Sequence, residues 1–286
     1  LGEGLVHVRL AQRAADRASL AREVELAATV QAQLLPGRGP HVHGDVTVVG
    51  SWQPATRCAG DFWGFYPLGP HRLLLAIGDV TGHGVASATV TAAAVAACDV
   101  AVRRHGDALD LATLVGSLDL AVARVGGGEL AMTLFAAIID SDARTISYVS
   151  CGHTAPYVVH APSSGAAIEL QALVGRGNPL GGGSSGASKV QQRPLRAGDL
   201  LVWYTDGVIE AQDPYGEPFG DRRLQRLLRR LDLAALAPPA VHDLVHASVA
   251  AHRAGRPRAD DETLVVAQWL PPQAASIEPA QRISSP

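Results

Sequence analysis

Residues Leu73–Gly84 read LLLAIGDVTGHG, an apolar run that ends in an aspartate and passes into a glycine-rich turn. A short apolar run of this kind, bounded by turn residues, is typical of a buried strand. The residues that follow, 85–104, show an apolar pattern that predicts a helix. Asp79 is therefore expected at the end of a buried strand, where an uncompensated charge costs desolvation free energy.

Three other sites repeat this placement of an aspartate at a strand end. Asp61 lies in CAGDFW, Asp206 follows LLVWYT, and Asp260-Asp261 precede ETLVV. A divalent cation compensates several carboxylates at once, and a ligand set made only of oxygens selects hard ions such as Mg²⁺ or Mn²⁺. Each aspartate alone is also typical of a turn or a helix cap. Two interpretations stay open at this point, a metal site and a set of turn residues.

Composition excludes several classes of protein. The chain has 286 residues, of which 47% are hydrophobic and 18% charged, as in an ordinary globular protein. A formal net charge of −3 disfavours a nucleic-acid or anionic-membrane partner. The longest apolar runs fall short of the roughly 20 residues that a membrane span needs. Three cysteines without CxxC spacing and the absence of a signal-peptide pattern predict a cytoplasmic protein.

A long helix is predicted from Arg9 to Leu35, because the run lacks Gly and Pro and ends at Pro36-Gly37. Along this helix, one seam of residues recurs at alternating spacings of four and three. It is a weak heptad pattern, because half of the seam positions are Ala or polar. The helix either packs against its own domain or forms a signalling stalk that gives a monomer or weak homodimer. The chain begins at Leu1 and its only methionine is Met132, so we expect a missing N-terminal sensor domain in a longer parent chain.

Strands predominate after this helix and come in consecutive groups, while helices come in pairs, so segregated α+β layers are predicted. Gly and Ser predict a flexible loop over residues 175–188, and the composition of residues 271–286 predicts a disordered tail. The predicted strands are 45–52, 72–78, 130–139, 145–150, 156–160, 168–174, 200–204 and 263–269, and the predicted helices are 85–104, 109–125, 222–231 and 240–252.

Six short motifs occur along the chain: GDFW at 60–63, DVTGHG at 79–84, CGHTAP at 151–156, GNPLG at 177–181, TDGV at 205–208 and DDET at 260–263. In order and spacing, these motifs resemble the SpoIIE/RsbU-type branch of the metal-dependent, protein phosphatase 2C-like (PPM) serine/threonine phosphatases. The resemblance implies an α-β-β-α sandwich, in which two antiparallel sheets are flanked by helices. It also implies a phosphatase domain of residues 37–270, preceded by a linker or signalling helix, residues 1–36.

The same resemblance implies a centre of two Mn²⁺ or Mg²⁺ ions. Carried over position by position, Asp61 and Asp79 bind or bridge the ions, the Val80 carbonyl adds a ligand, and Asp206 and Asp260 complete the set. Asp261 matches a non-ligand position. Two such ions lower the pKa of a water that attacks phosphorus in line. The implied substrate is a phosphoserine or phosphothreonine protein, most simply a STAS-type anti-sigma-factor antagonist, and the implied role is sigma-factor regulation.

Several positions leave alternatives open. Gly64 replaces a carboxylate that commonly stands three residues after the first ligand. His83 and His153 each fit a structural role or a role in the site, and Arg57 is a candidate for binding substrate phosphate or a surface arginine. The arginines of residues 222–230 form either a solvated helix face or a docking surface for an acidic phosphoprotein. Rival functions are a catalytically silent binding module and a small-molecule phosphoesterase.

Overall fold

The computed structural model describes residues 2–37, 39–160, 167–182, 188–233 and 235–270. Its helices are α1 (Gly2–Gln33), α2 (Val85–His105), α3 (Leu111–Gly126), α4 (Asp206–Glu210), α5 (Asp221–Leu228) and α6 (Pro238–Arg253). Its strands are β1 (His41–His43), β2 (Val46–Gln53), β3 (Phe62–Pro67), β4 (Arg72–Val80), β5 (Met132–Asp140), β6 (Thr145–Cys151), β7 (Tyr157–His160), β8 (Glu169–Ala172), β9 (Gln191–Pro194), β10 (Leu200–Tyr204) and β11 (Glu262–Trp269).

The strands form two antiparallel sheets. The first sheet has the order β1-β2-β11-β10-β7-β8, and the second has the order β3-β4-β5-β6-β9. Every pairing between these strands is antiparallel. The α+β class predicted from the sequence is confirmed.

Three apolar layers hold the four layers of the sandwich together. The two sheets face each other across a core that includes Trp63, Ile77 and Trp203. Helices α2 and α3 cover the outer face of the second sheet, and α5 and α6 cover the outer face of the first. Strand residues alternate between an inter-sheet layer and a helix-facing layer, as the two-residue period of a strand requires.

Helix α2 and the turn after it, Val85–Ala108, are long and apolar enough to span a membrane by length and composition alone. In the folded chain, eight residues of α2 are buried, and five of them, including Val90, Ala94 and Cys98, pack in the core above the second sheet. The apolar character of α2 is therefore explained by its place inside the sandwich.

Most predicted elements agree with the observed ones to within a few residues, but α1 begins seven residues before the predicted Arg9, and three strands and one α-helix are missed. The missed strands are β1, β3 and β9, and the missed helix is the single turn α4. The structure describes residues 175–182 and 188 of the predicted flexible loop, whereas the predicted tail, residues 271–286, lies outside the described residues.

Candidate metal centre

The alternation of side chains brings the polar residues of several strands to one end of the inter-sheet core. In β4, Leu73, Leu75 and Ile77 point into that core, and Asp79 is the next residue of the same face. Thr133 of β5 lies directly opposite Asp79. The ends of β10 and β11 arrive at the same edge through Thr205 and Thr263, which continue the inward faces of their strands. The strand period therefore places polar residues at one end of an apolar layer. We call the aspartates at this end, Asp61, Asp79, Asp206, Asp260 and Asp261, together with Thr205 and Thr263, the cap.

Asp61 is the most buried carboxylate of this cap, with 1% of its surface exposed. Its Oδ2 accepts hydrogen bonds from the hydroxyls of Thr205 and Thr263, both at 2.7 Å. Burial, followed by the nearby charge of Asp79, raises the pKa of Asp61 well above its usual range, and the two threonine hydroxyls oppose this shift. The structure thus fixes the orientation of Asp61 but leaves its charge poorly compensated.

Asp79 faces three other carboxylates. Burial, and then the charges of Asp206, Asp260 and Asp261, raise the pKa of Asp79 from 3.8 to about 7. Burial and the charge of Asp260 likewise raise the pKa of Asp206. Mutual repulsion of this kind is what a bound divalent cation removes.

Close backbone packing joins the segments that carry Asp206 and Asp260. Asp206 opens α4, and a Cβ built on Gly207 would lie 2.0 Å from the carbonyl oxygen of Asp261. A Cβ on Gly60 would lie 2.6 Å from the Val80 carbonyl oxygen and 3.4 Å from Asp79 Oδ1. Glycine at these two positions lets three loops converge on one point.

Asp261 has a different environment from Asp260. It is 5% exposed, and its two carboxylate oxygens accept hydrogen bonds from the backbone N–H groups of Ala55 and Gly60, each at 2.8 Å. Asp260 is exposed, and its Oδ1 accepts a hydrogen bond from the backbone N–H of Asp261. Asp261 therefore holds the loop before Asp61, while Asp260 is accessible to an ion from solvent.

We expect Asp260→Ala and Asp261→Ala to separate activity from stability. Asp260→Ala should abolish most metal-dependent activity and leave the melting temperature nearly unchanged. Asp261→Ala should lower the free energy of unfolding by about 1–3 kcal/mol, because the buried N–H of Gly60 and the half-buried N–H of Ala55 lose their acceptor. The measurements are thermal melts and Mn²⁺ titrations of the phosphatase rate. A larger activity loss at Asp261 than at Asp260 would place the last ligand one residue later.

The residues of this cap fit a hydrated hard cation. Among the described residues, no three His, Cys, Asp or Glu side chains already surround a single point. Mg²⁺ and Mn²⁺ prefer oxygen ligands, and Mg²⁺ typically keeps several waters beside one or two carboxylates. The carboxylate chemistry of Asp61, Asp79, Asp206 and Asp260, together with their shared repulsion, matches such ions.

The family described as Stage II sporulation protein E (SpoIIE) matches residues 69–270, which is more than half of the chain. The chain belongs to the SpoIIE family. The resemblance to SpoIIE/RsbU-type, protein phosphatase 2C-like phosphatases that the motifs predict is therefore confirmed.

Two curated relatives match this SpoIIE-family chain over only part of their own length. Protein IcfG of Synechocystis is 25% identical over 85% of this chain and 41% of its own length. Phosphoserine phosphatase RsbU of Bacillus subtilis is 26% identical over 68% of this chain and 55% of its own length. The chain spans about half the length of these relatives.

Solved structures share the fold of this SpoIIE-family protein. The SiaA-PP2C domain of Pseudomonas aeruginosa has a TM-score of 0.71 at 24% identity, with 89% of this chain and 98% of that chain covered. The SpoIIE phosphatase domain with a regulatory fragment from Bacillus subtilis has a TM-score of 0.64 at 21% identity, with 78% and 63% covered. The four-layer sandwich predicted from the motifs is confirmed.

The other positions singled out in the sequence lie around the cap in different settings. Arg57 forms an ion pair with Glu25 of α1, and both side chains are largely exposed. His83 is exposed on the turn between β4 and α2. A Cβ on Gly64 would lie 2.3 Å from the ring of Tyr66, so this ring occupies the space of the carboxylate that the motif commonly carries.

His153 is buried behind the cap. Its Nδ1 is 2.9 Å from the hydroxyl of Thr133, the residue opposite Asp79. Its Nε2 has no hydrogen-bond partner of standard geometry among the described residues. The backbone of Tyr204 opposes the lowering of the His153 pKa, but burial is the larger effect. Burial lowers the pKa of His153 to about 4, so the ring is neutral at pH 7. Its contacts are those of a residue that positions β5.

Sequence reasoning missed three residues that hold the cap in place. Thr205 and Thr263 orient Asp61, and their positions two residues beyond inward-facing strand residues are the signal that could have found them. Gln31 of α1 was the third. Its Nε2 donates to the Ala59 carbonyl at 2.7 Å, and its Oε1 accepts from the Ala59 N–H at 3.1 Å. Helix α1 is thereby joined to the segment that carries Asp61.

The seam of α1 predicted to pair two chains faces the chain's own domain in its C-terminal half. Val24 and Ala28 are half-buried, Gln31 is 3% exposed, and Leu35 packs against the core above the second sheet. The structure favours intramolecular packing for this half of the helix. The large apolar side chains exposed on α1 and its C-terminal end lie elsewhere, at Leu20, Leu26, Val30 and Leu34.

Proposed function

We propose that this protein is a Mn²⁺- or Mg²⁺-dependent phosphatase of phosphoserine and phosphothreonine proteins. The observation that carries the proposal is the cap itself, where Asp79 faces Asp206, Asp260 and Asp261 and its pKa rises to about 7. The SpoIIE-family match adds support. RsbX, a protein of similar fold, has been solved in complex with magnesium.

In this proposal, Asp61, Asp79, Asp206, Asp260 and the Val80 carbonyl hold two ions. Bound there, two divalent cations supply a water of lowered pKa and neutralise negative charge on the phosphoryl oxygens. The chain's own residues prepare the geometry. Thr205 and Thr263 fix the carboxylate of Asp61, Asp261 fixes the loop before it, and Gly207 brings Asp206 next to the Asp260 segment.

The test is release of phosphate from a phosphoserine protein and from p-nitrophenyl phosphate, with added Mn²⁺ or Mg²⁺ and then with excess chelator. We expect turnover only with metal, because among the described residues no ion pair joins a basic side chain to the aspartates of the cap. Full turnover in chelator would refute metal dependence. Tight Mn²⁺ binding without turnover would favour the catalytically silent binding module, and turnover of small phosphoesters alone would favour a small-molecule phosphoesterase.

The proposed substrate is a phosphorylated STAS-type anti-sigma-factor antagonist in the cytoplasm. The support is the match to RsbU, a phosphoserine phosphatase, and to a structure of the RsbU and RsbW domains of Rv1364c from Mycobacterium tuberculosis. Residues 37–270 would be the catalytic unit and residues 1–36 a linker that transmits a signal from an upstream sensor domain. Phosphate release from a phosphorylated STAS protein, compared with an unrelated phosphoserine protein, tests this substrate class.

We expect helix α1 to affect the metal centre through Gln31. Removing residues 1–36, or making Gln31→Ala, deletes two hydrogen bonds to Ala59 and should weaken Mn²⁺ affinity and lower turnover, because Ala59 is two residues from Asp61. Gln33→Ala, an exposed position on the same helix, is the matched control. A fused coiled coil that keeps helical phase tests dimerisation. Equal Mn²⁺ dependence in all these proteins would show that α1 only flanks the domain.

A further inference from the structure

Helix α5 and the residues after it present a dense group of positive charge. Five of the nine residues from 222 to 230 are arginine. Four of them, Arg222, Arg226, Arg229 and Arg230, are exposed and line a groove of about 310 Å³ together with Gln225. These four residues are the arginine face. Arg223 differs, because its guanidinium donates to the carbonyls of Pro218 and Phe219.

The arginine face has a rigid base. Leu224 and Leu228 on the opposite side of α5 are fully buried in the core above the first sheet. Asp221 at the start of the helix accepts hydrogen bonds from the hydroxyls of Tyr157 and Tyr204 and from Gln225. The helix is therefore held on the sheet independently of its arginines.

The charge of the arginine face is not neutralised within the part of the chain that the structure describes. No ion pair there joins Arg222, Arg226, Arg229 or Arg230 to a carboxylate. Arg222 and Arg226 stand four residues apart on α5, a spacing at which like charges on a helix repel, and Arg229 and Arg230 follow directly after the helix. The whole chain carries −3, so this positive potential is local. An external group of negative charge would remove the repulsion.

The arginine face begins close to the candidate metal centre. The Tyr204 hydroxyl donates to Asp221 Oδ1 at 3.1 Å, and Tyr204 directly precedes Thr205 and Asp206. An eight-residue helix is about 12 Å long. A protein that places a phosphoserine at the carboxylate cap can therefore reach the arginine face with residues near that phosphoserine.

We propose that the arginine face docks an acidic segment of the phosphoprotein substrate, next to the phosphoserine that is hydrolysed. The inference rests on the proposed phosphatase function. Guanidinium groups bind carboxylates in bidentate pairs, and two on α5 with two directly after it suit a run of Asp and Glu. A protein segment fits better than nucleic acid or a membrane, because those partners need a broad basic surface and the net charge of this chain is negative.

The experiment uses two synthetic phosphoserine peptides of equal length, one flanked by Asp and Glu and one flanked by Ser and Gly. The readout is the ratio of their kcat/KM values in saturating Mn²⁺, which is independent of a change in overall activity. We expect the wild type to prefer the acidic peptide by about tenfold at low salt, the lower end of electrostatic steering effects. The preference should shrink as added salt screens it. The double variant Arg226→Glu/Arg230→Glu should bring the ratio to one or below.

The matched control is Arg103→Glu/Arg104→Glu, the same charge change at exposed positions in the last turn of α2. This control should keep the wild-type ratio of kcat/KM values. If Arg226→Glu/Arg230→Glu does not fold, Arg226→Gln/Arg230→Gln is used in its place. A ratio near one in the wild type, or an unchanged ratio in the Arg226 and Arg230 variants, would overturn the docking assignment. So would tighter binding of duplex DNA or phosphatidylserine vesicles than of the acidic peptide at 0.15 M salt.

Failure of the phosphatase proposal gives a different result. If the wild type hydrolyses neither peptide nor p-nitrophenyl phosphate with Mn²⁺, the proposed function fails, and docking is then read from fluorescence anisotropy of the labelled peptides. Tighter binding of the acidic peptide that is lost in Arg226→Glu/Arg230→Glu supports the arginine face without catalysis. Equal binding of both peptides overturns it.

Discussion

Replacing Asp79 by Asn or Ala is expected to reduce Mn²⁺-dependent phosphatase activity by several orders of magnitude. Asp79 is the carboxylate that faces the largest number of others, since Asp206, Asp260 and Asp261 all raise its pKa. A proposed ligand in this position should matter more than the outer partners of metal ligands, whose loss typically costs about 10–100-fold. Single-turnover and steady-state rates across a Mn²⁺ titration measure the effect.

The fold should survive this substitution, and the metal-free protein should become more stable. Burial and repulsion raise the pKa of Asp79 from 3.8 to about 7 in the folded metal-free chain. Between these two pH values, Asp79 is protonated in the folded chain and ionised in the unfolded chain. Its stability therefore falls as pH rises from about 4 to about 7. Asn at this position removes that loss, and the melting temperature in chelator at pH 8 should rise above that of the wild type.

Asp206→Ala should behave in the same way, because burial and Asp260 raise the pKa of Asp206. An exposed aspartate outside the cap, such as Asp142, provides the control variant, which should change neither activity nor the melting temperature in chelator. Near-normal turnover in Asp79→Asn would remove Asp79 from the metal centre. A lower melting temperature of Asp79→Asn in chelator would contradict the repulsion between the carboxylates.

The candidate ligand aspartates stand out in the sequence because each lies where an apolar strand pattern stops. The two-residue period of β4 sends Leu73, Leu75, Ile77 and Asp79 to the same side, and burial of the leucines decides which side that is. Once two sheets face each other, the inward aspartates must meet at one end. The position of Asp79 at that end follows from a strand pattern that the sequence already shows.

Other parts of the structure depend on contacts that no local pattern records. Strand β3, with the sequence FWGFYP, contains both Gly and Pro, and its assignment depends on pairing with β4. Helix α4 is a single turn set by the close approach of Gly207 to Asp261. The spacing of the α1 seam predicts an apolar face but not its partner. The loop of residues 58–60 decides which side of the helix packs against the domain.

The approach of Gly207 to Asp261 leads to the second large effect that we expect, in the variant Gly207→Ala. A Cβ at this position would lie 2.0 Å from the carbonyl oxygen and 3.0 Å from the carbonyl carbon of Asp261. Both atoms are backbone. They cannot move aside easily, because β11 and the hydrogen bonds from Ala55 and Gly60 to the Asp261 side chain hold this segment.

The added methyl group must therefore push α4 away from the Asp260-Asp261 segment by about 1 Å or more. Such overpacking typically costs about 1–3 kcal/mol of stability. It should also separate Asp206 from Asp260, and a displacement of this size in a catalytic site lowers activity by about 10²-fold. Thermal melts and Mn²⁺ titrations of the phosphatase rate measure the two effects independently. Excess Mn²⁺ should restore part of the activity, because the ligands remain present and only their spacing has changed.

Gly116→Ala is the matched control for this substitution. Gly116 lies within α3, and a Cβ there meets no atom within 4 Å. Since alanine is the better helix former, this control should be neutral or stabilising by roughly 0.5–1 kcal/mol. If Gly207→Ala matched the control in melting temperature and in Mn²⁺ dependence, α4 and the Asp260-Asp261 segment would not be in backbone contact. The proposal that Asp206 and Asp260 serve one metal centre would then lose its structural support.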